Sequence, residues 1–106
     1  MNVLLVEDDP SVAASVMDGL ASSGLALTHV SNGADAIAHA LHKQPDIVLL
    51  DLGLPDMDGQ DVCRSIRASS QVPIIILSAR ADEIDRVLAL EFGADDYMVK
   101  PVGLRE

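Results

Sequence analysis

Short unbroken apolar runs alternate along the chain with stretches in which apolar residues recur three and four positions apart. The runs at 3–6 (VLLV), 25–30 (LALTHV), 47–50 (IVLL), 72–77 (VPIIIL) and 97–99 (YMV) predict five strands. Val12, Val16 and Leu20, then Ile37, Ala40 and Leu41, then Val62 and Ile66, then Ile84, Val87 and Leu88 mark the buried stripes of four intervening helices. Strands separated by helices imply right-handed βαβ crossovers, and near-continuous apolar strands suit a parallel sheet covered on both faces. The fold class is therefore α/β, a doubly wound five-stranded parallel sheet.

Local punctuation supports these boundaries. Asp9 before Pro10 predicts an N-cap followed by proline at the first helical position. Pro45 closes the second helix, Asp58 can cap the third, and Gly93 stands where a left-handed residue would end the fourth. Residues 102–106 read as a fifth helix cut off at its start.

Composition narrows the picture. The 106 residues form one domain with no linker or repeat, 49% of them hydrophobic, and one Phe, one Tyr and no Trp make the core aliphatic. Seven basic against seventeen acidic residues give a formal charge of −10, which repels nucleic acid and anionic membranes. This domain is expected not to bind DNA itself. Cys63 is the single cysteine, so no internal disulfide forms, and no secretory or membrane-spanning pattern precedes the first strand. The expected location is the cytoplasm.

In an open parallel sheet, ligands bind beyond the carboxyl ends of the strands, near the point where strand order reverses. Glu7, Asp8 and Asp9 follow the first strand, Asp51 ends the third, Ser78 the fourth and Lys100 the fifth. Several carboxylates gathered in a partly desolvated cleft call for a cation, and the sparse oxygen ligand set suits Mg²⁺ better than zinc. A metal-bound carboxylate beside a hydroxyl and an ammonium can act as nucleophile toward a phosphoryl group, forming an acyl phosphate. Asp9 reads equally as a helix cap and ranks second as a metal residue. Cys63, His29, His39 and His42 form no ligand motif.

Three rivals fail on the residues. A flavodoxin-like cofactor binder needs a Gly/Ser/Thr-rich phosphate cradle after the first strand, where this chain has EDDP. A phosphatase of the haloacid dehalogenase kind needs a second aspartate two residues after the first, and Gly53 stands there. A calcium loop aligned on Gly59 would put Leu54 and Ser65 at its first and last ligand positions.

The segments VLLVEDD, DLGLPDMDG, ILSAR and GADDYMVKP, in this order, resemble the receiver domain of two-component response regulators from Asn2 to the end of the chain. The resemblance implies a flavodoxin/CheY-like strand order, 2-1-3-4-5. It also implies that Asp51 is the phospho-acceptor, that Asp8, Asp51 and the Gly53 carbonyl hold Mg²⁺, and that Glu7 acts on the metal through water. Ser78 and Lys100 would receive the phosphoryl group, with Tyr97 moving behind Ser78, and the bond before Pro101 would be cis. The donor would be a sensor histidine kinase.

The stretch DEIDRVLALEFGADDYMVKP is similar to the OmpR/PhoB-type subfamily of transcription factors, whose phosphorylated receivers form homodimers through the fourth helix, fifth strand and fifth helix. Arg86, Asp95, Asp96 and Glu106 would lie on that face, with Arg86 and Glu106 as the complete cross-dimer pair. DNA would be reached only through a C-terminal domain absent from this sequence. The alternative is a stand-alone receiver that docks on another protein. Val102 replaces the usual Phe after Lys-Pro, and Gly53 offers no side chain over the acceptor, so enlarging Gly53 is expected to change the dephosphorylation rate.

Overall fold

In β1 (Asn2–Val6), Leu4 and Val6 face one side of the sheet and Val3 and Leu5 the other, and all four are buried. A strand apolar on both faces belongs in the interior of a parallel sheet with helices above and below. The computed structural model describes residues 1–78, 91 and 93–99 and places β1 there. The remaining strands are β2 (Ala26–Val30), β3 (Ile47–Asp51), β4 (Ile74–Ser78) and β5 (Asp96–Val99). All neighbours are parallel in the order β2-β1-β3-β4-β5, as expected. The chain builds β2 on one side of β1 and then crosses to β3 on the other, so the reversal in strand order lies between β1 and β3.

Three helices are described, α1 (Pro10–Leu20), α2 (Gly33–Lys43) and α3 (Gly59–Arg67). Strand alternation divides the core in two. Leu4, Val6, Val48, Leu50, Ile74 and Ile76 meet Ala36 and Ala40 of α2 and Val62, Cys63 and Ile66 of α3. On the other face Leu5 and Leu77 meet Ala13 and Val16 of α1. Truncating a fully buried residue such as Ile66 to alanine costs about 2–5 kcal/mol. The α1 face retains an apolar cavity of about 400 Å³ lined by Val3, Val16, Leu20, Leu25, Leu49 and Leu77. The expected fourth-helix stripe and the 102–106 helix start lie outside the described residues.

Several details differ from expectation. β1 and β5 each begin one residue earlier, at Asn2 and Asp96, while β3 ends at Asp51, which pairs with Leu77. β2 begins at Ala26 rather than Leu25, after the left-handed Gly24 that closes a short 3₁₀ turn. β4 begins at Ile74 rather than Val72. Val72 N–H donates to Ser70 Oγ at 3.1 Å, its carbonyl accepts from Arg67 Nη1 at 2.7 Å, and Pro73 has no N–H. Asp58 stands at the N-cap of α3 without capping through its side chain; its carbonyl accepts from Asp61 and Val62 instead. The expected stop at Pro45 holds: Gln44, disfavoured in the helical region before Pro45, is left-handed at φ 47°. Gly93 has φ 110°, and the helix it was expected to end lies outside the described residues.

Candidate functional site

β1 ends at Val6, so the next three residues leave the sheet at the carboxyl edge beside the β1/β3 crossover. Glu7 remains fastened to β2: its N–H donates to the Val30 carbonyl at 3.0 Å, and His29 Nε2 donates to the Glu7 carbonyl at 2.7 Å. The anchored side chain is only 1% exposed, and its Oε2 accepts from Asp9 N–H at 3.2 Å. Asp51, the last residue of β3, is 9% exposed, whereas Asp8 is open to solvent. One carboxylate oxygen from each of Glu7, Asp8 and Asp51 lies within 4.8 Å of the other two.

At an effective dielectric near 20, two like charges that close repel by on the order of 3 kcal/mol. A cation relieves that repulsion. The donor set consists of hard oxygens, two buried and one facing water, which fits a Mg²⁺ ion that keeps several waters and suits neither a thiolate nor an imidazole metal. The residues present therefore fit the metal that the sequence implied.

The other candidates are placed as follows. Asp9 Oδ1 accepts from Ser11 N–H at 2.8 Å and Val12 N–H at 3.3 Å, so its side chain caps α1. It lies outside the three-carboxylate cluster. Gly53 lies two residues beyond Asp51: a Cβ built there would stand 3.7 Å from Asp51 Oδ2, ordinary contact. Ser78 ends β4 opposite Val99, and Tyr97 lies opposite Ile76, so both stand on the strands bordering β3 or next to it. Asp96 opens β5 and is exposed. Asp95 precedes it, with Oδ2 engaged by Arg67 at 2.7 Å and by Ile74 N–H at 2.7 Å. Arg86, Lys100, Pro101 and Glu106 lie outside the described residues.

Sequence reasoning missed the anchoring of the loop between Asp51 and α3. Asp56 Oδ1 accepts from Gly33 N–H at 2.7 Å and its Oδ2 from Ala34 N–H at 3.0 Å, at the first turn of α2. Those two amides hold its carboxyl below the usual carboxylate range. Asn32 caps the same helix, accepting from Asp35 N–H at 2.8 Å and donating to Asp35 Oδ2 at 3.0 Å. The Asn-x-x-Asp spacing could have revealed that cap. Nothing local in the sequence announces Asp56, whose partners are 23 and 22 residues away.

The chain matches the response regulator receiver domain family over residues 3–106. It is 49% identical over 105 residues to the sensory transduction protein RegX3 of Mycolicibacterium smegmatis, covering 99% of this chain and 46% of that protein. It is 43% identical over 104 residues to the transcriptional regulatory protein BaeR of Escherichia coli, covering 98% and 43%. The chain thus spans less than half the length of these relatives.

Among solved structures, the activated receiver domain of Klebsiella pneumoniae RstA superposes with a TM-score of 0.90 at 33% identity, covering 99% of this chain and 92% of that one. The receiver domain of the Pseudomonas aeruginosa sensor histidine kinase PA1611, described with a magnesium ion in its active-site cleft, superposes with a TM-score of 0.87 at 37% identity, covering 98% and 88%. Among the described residues no helix is long and apolar enough to cross a membrane. With matched sequence, strand order and acidic cleft in agreement, this chain belongs to the response regulator receiver domain family, and the relatives it matches are OmpR/PhoB-type regulators.

Proposed function

We propose that this chain is a phosphorylation-driven switch whose acceptor is Asp51. The observation that carries this reading is the near-buried Asp51 carboxylate, held at the end of β3 within 4.8 Å of Glu7 and Asp8 oxygens. Fixed by β3 pairing and shielded from bulk water, that carboxylate is a positioned nucleophile. An Asp51 oxygen bonds to phosphorus as the bond from phosphorus to a kinase histidine nitrogen breaks, leaving an acyl phosphate and a free imidazole. Asp8, Asp51 and the Gly53 carbonyl would hold Mg²⁺, with Glu7 acting through water. When bound, the metal neutralises charge on the transferring oxygens.

Ser78, at the end of the neighbouring strand, and Lys100 then donate hydrogen bonds to the new phosphoryl group, Lys100 also offsetting its negative charge, and Tyr97 follows Ser78 inward. The bond before Pro101 is cis in this reading. A phosphoryl group adds roughly 1.5–2 negative charges, by analogy with phosphorylated hydroxyls, and acts by binding one of two pre-existing arrangements more tightly.

The output is homodimerisation through the face carrying Arg86, Asp95, Asp96 and Glu106. The matched relatives include transcriptional regulatory proteins more than twice as long as this chain. That supports control of a DNA-binding domain supplied by further sequence, in the cytoplasm, with a sensor histidine kinase as donor.

The test is intact mass after incubation with Mg²⁺ and a small phosphoryl donor. The expected result is one added phosphoryl group on the wild type, abolished by Asp51→Asn and by EDTA. No addition to a folded wild type would overturn the reading.

A further inference from the structure

Asp56 is exposed, yet both of its carboxylate oxygens are committed to backbone amides of another element, Gly33 at 2.7 Å and Ala34 at 3.0 Å. Around this clamp the loop of residues 52–58 is pressed against α2 and against its own base. A Cβ on Gly33 would lie 2.4 Å from Met57 Cγ and 2.8 Å from Val62 Cγ2, and one on Gly59 would lie 2.7 Å from the Leu52 Cα. Gly59 N–H closes the loop on the Leu52 carbonyl at 3.2 Å, and Met57, Leu52 and Leu54 pack on the core. The loop starts at the phospho-acceptor and contains Gly53, so its path decides where Gly53 stands relative to Asp51.

We propose that Asp56 is a positioning residue for the metal site: by fastening residues 52–58 to the first turn of α2, it holds Gly53 and the end of β3 where they receive a divalent cation. The inference rests on the receiver reading of Asp51. Asp56 does not touch the cation and acts through the loop. Its solvent exposure separates this role from a merely structural one. The Gly33 and Ala34 amides can be solvated without Asp56, and Asn32 remains to cap α2, so the helix keeps its own N-terminal acceptor. Water cannot tether the loop to the helix in one geometry. The clamp joins segments more than twenty residues apart, whereas Asn32 already provides α2 with its own cap.

The test is calorimetric titration of Mg²⁺ alone into the wild type, Asp56→Ala, Asp56→Asn and Asn32→Ala, with thermal unfolding of each. Groups that orient metal ligands are typically worth 10–100-fold in affinity, so Asp56→Ala is expected to weaken Mg²⁺ binding by about tenfold. Asparagine keeps one acceptor oxygen and so only one of the two amide bonds, and Asp56→Asn should fall between wild type and Asp56→Ala. Asn32→Ala removes the helix cap without freeing the loop and should leave the affinity unchanged while lowering the melting temperature. In the small-molecule phosphorylation assay, Asp56→Ala should raise the Mg²⁺ concentration giving half-maximal rate and leave the plateau rate in place.

Wild-type affinity in Asp56→Ala would overturn the proposal, as would an equal loss in Asn32→Ala. Should Asp56→Ala lose its fold, Gly33→Ala pushes the same loop from the α2 side and is expected to weaken Mg²⁺ similarly; unchanged binding there overturns the proposal. A wild type that binds no Mg²⁺ would instead remove the metal site itself, a result distinct from any difference among variants.

Discussion

Arg67 Nη2 lies 2.7 Å from Asp95 Oδ2, joining the end of α3 to the entrance of β5. The same guanidinium donates to the Gly93 carbonyl from Nε at 3.1 Å and Nη2 at 3.0 Å. Its Nη1 reaches the carbonyls of Val72 at 2.7 Å and Ser70 at 3.2 Å. Asp95 Oδ2 also accepts from Ile74 N–H at 2.7 Å. One side chain thus ties together α3, the approach to β4 and the approach to β5. Asp95, proposed for the dimer face, also bonds within its own chain while its side chain stays 54% exposed.

Arg67→Met should therefore destabilise the domain by about 2–3 kcal/mol, because three carbonyls lose a charged donor that is itself largely covered. Urea unfolding measures this, and a loss below about 0.5 kcal/mol would mean that water substitutes for the guanidinium.

Asp95 gives a sharper comparison. Its side chain is 54% exposed, so solvent screens the ion pair, and Asp95→Asn, which still accepts from Ile74 N–H, should cost less than about 1 kcal/mol. Asp95→Ala leaves that N–H without its acceptor and should cost about 1–3 kcal/mol. Equal losses in the two variants would place the stabilisation in the charge rather than in the backbone bond.

Cys63 is fully buried in α3, and burial pushes its thiol pKa up from the ordinary 9.0. A group whose folded pKa is raised contributes stability that is complete below the unfolded pKa and is lost as pH rises from there through the folded one. Wild type should accordingly lose stability above about pH 9 more steeply than Cys63→Ala, with the two curves parallel at neutral pH. Folded wild type should also resist a thiol reagent that modifies it fully in urea. Parallel curves throughout the alkaline range would show that the thiolate forms without opening the core.

The strands, the periods of the three described helices and the carboxyl-edge acids were legible in the sequence. Each depends on patterns within a few residues, or on the rule that places ligands at the carboxyl ends of parallel strands. Glu7, Asp8 and Asp51 meet because Val6 and Leu50 share a register, and their apolar runs stop at that row. The contacts of Asp56 and Arg67 were not legible. Each joins backbone groups whose neighbourhood exists only after the sheet has formed, and an aspartate in PDMDG or an arginine ending a helix looks like ordinary solvated charge. Asp58 misled for the opposite reason, being the right residue type at the right place while its carbonyl, not its carboxylate, meets the helix amides.

Asp9 separates a cap from a ligand. Its Oδ1 serves the Ser11 and Val12 amides, so Asp9→Ala should cost about 1 kcal/mol and Asp9→Ser should restore most of it. Mg²⁺ affinity should stay within about twofold of wild type in both, far below the 10–100-fold that follows loss of a group orienting metal ligands. A tenfold loss of affinity in Asp9→Ser, with stability retained, would make Asp9 a metal residue after all.

Gly53 leaves the acceptor uncovered on one side. A Cβ there would stand 3.7 Å from Asp51 Oδ2, ordinary contact, and among the described residues other than its chain neighbours nothing else lies within 4 Å. The side chain added by Gly53→Met would lie over the acceptor carboxylate, in the space through which water approaches an acyl phosphate. Hydrolysis should slow by about three- to tenfold, equivalent to about 0.7–1.4 kcal/mol of barrier, while the rate of phosphorylation by a small donor falls less because that donor brings its own charge to the metal. The decay of phosphorylated protein after donor removal, followed by intact mass, reads the effect. An unchanged decay would show that water reaches the phosphoryl group from elsewhere, and the identity of the residue at Gly53 would then have no bearing on how long the switch stays on.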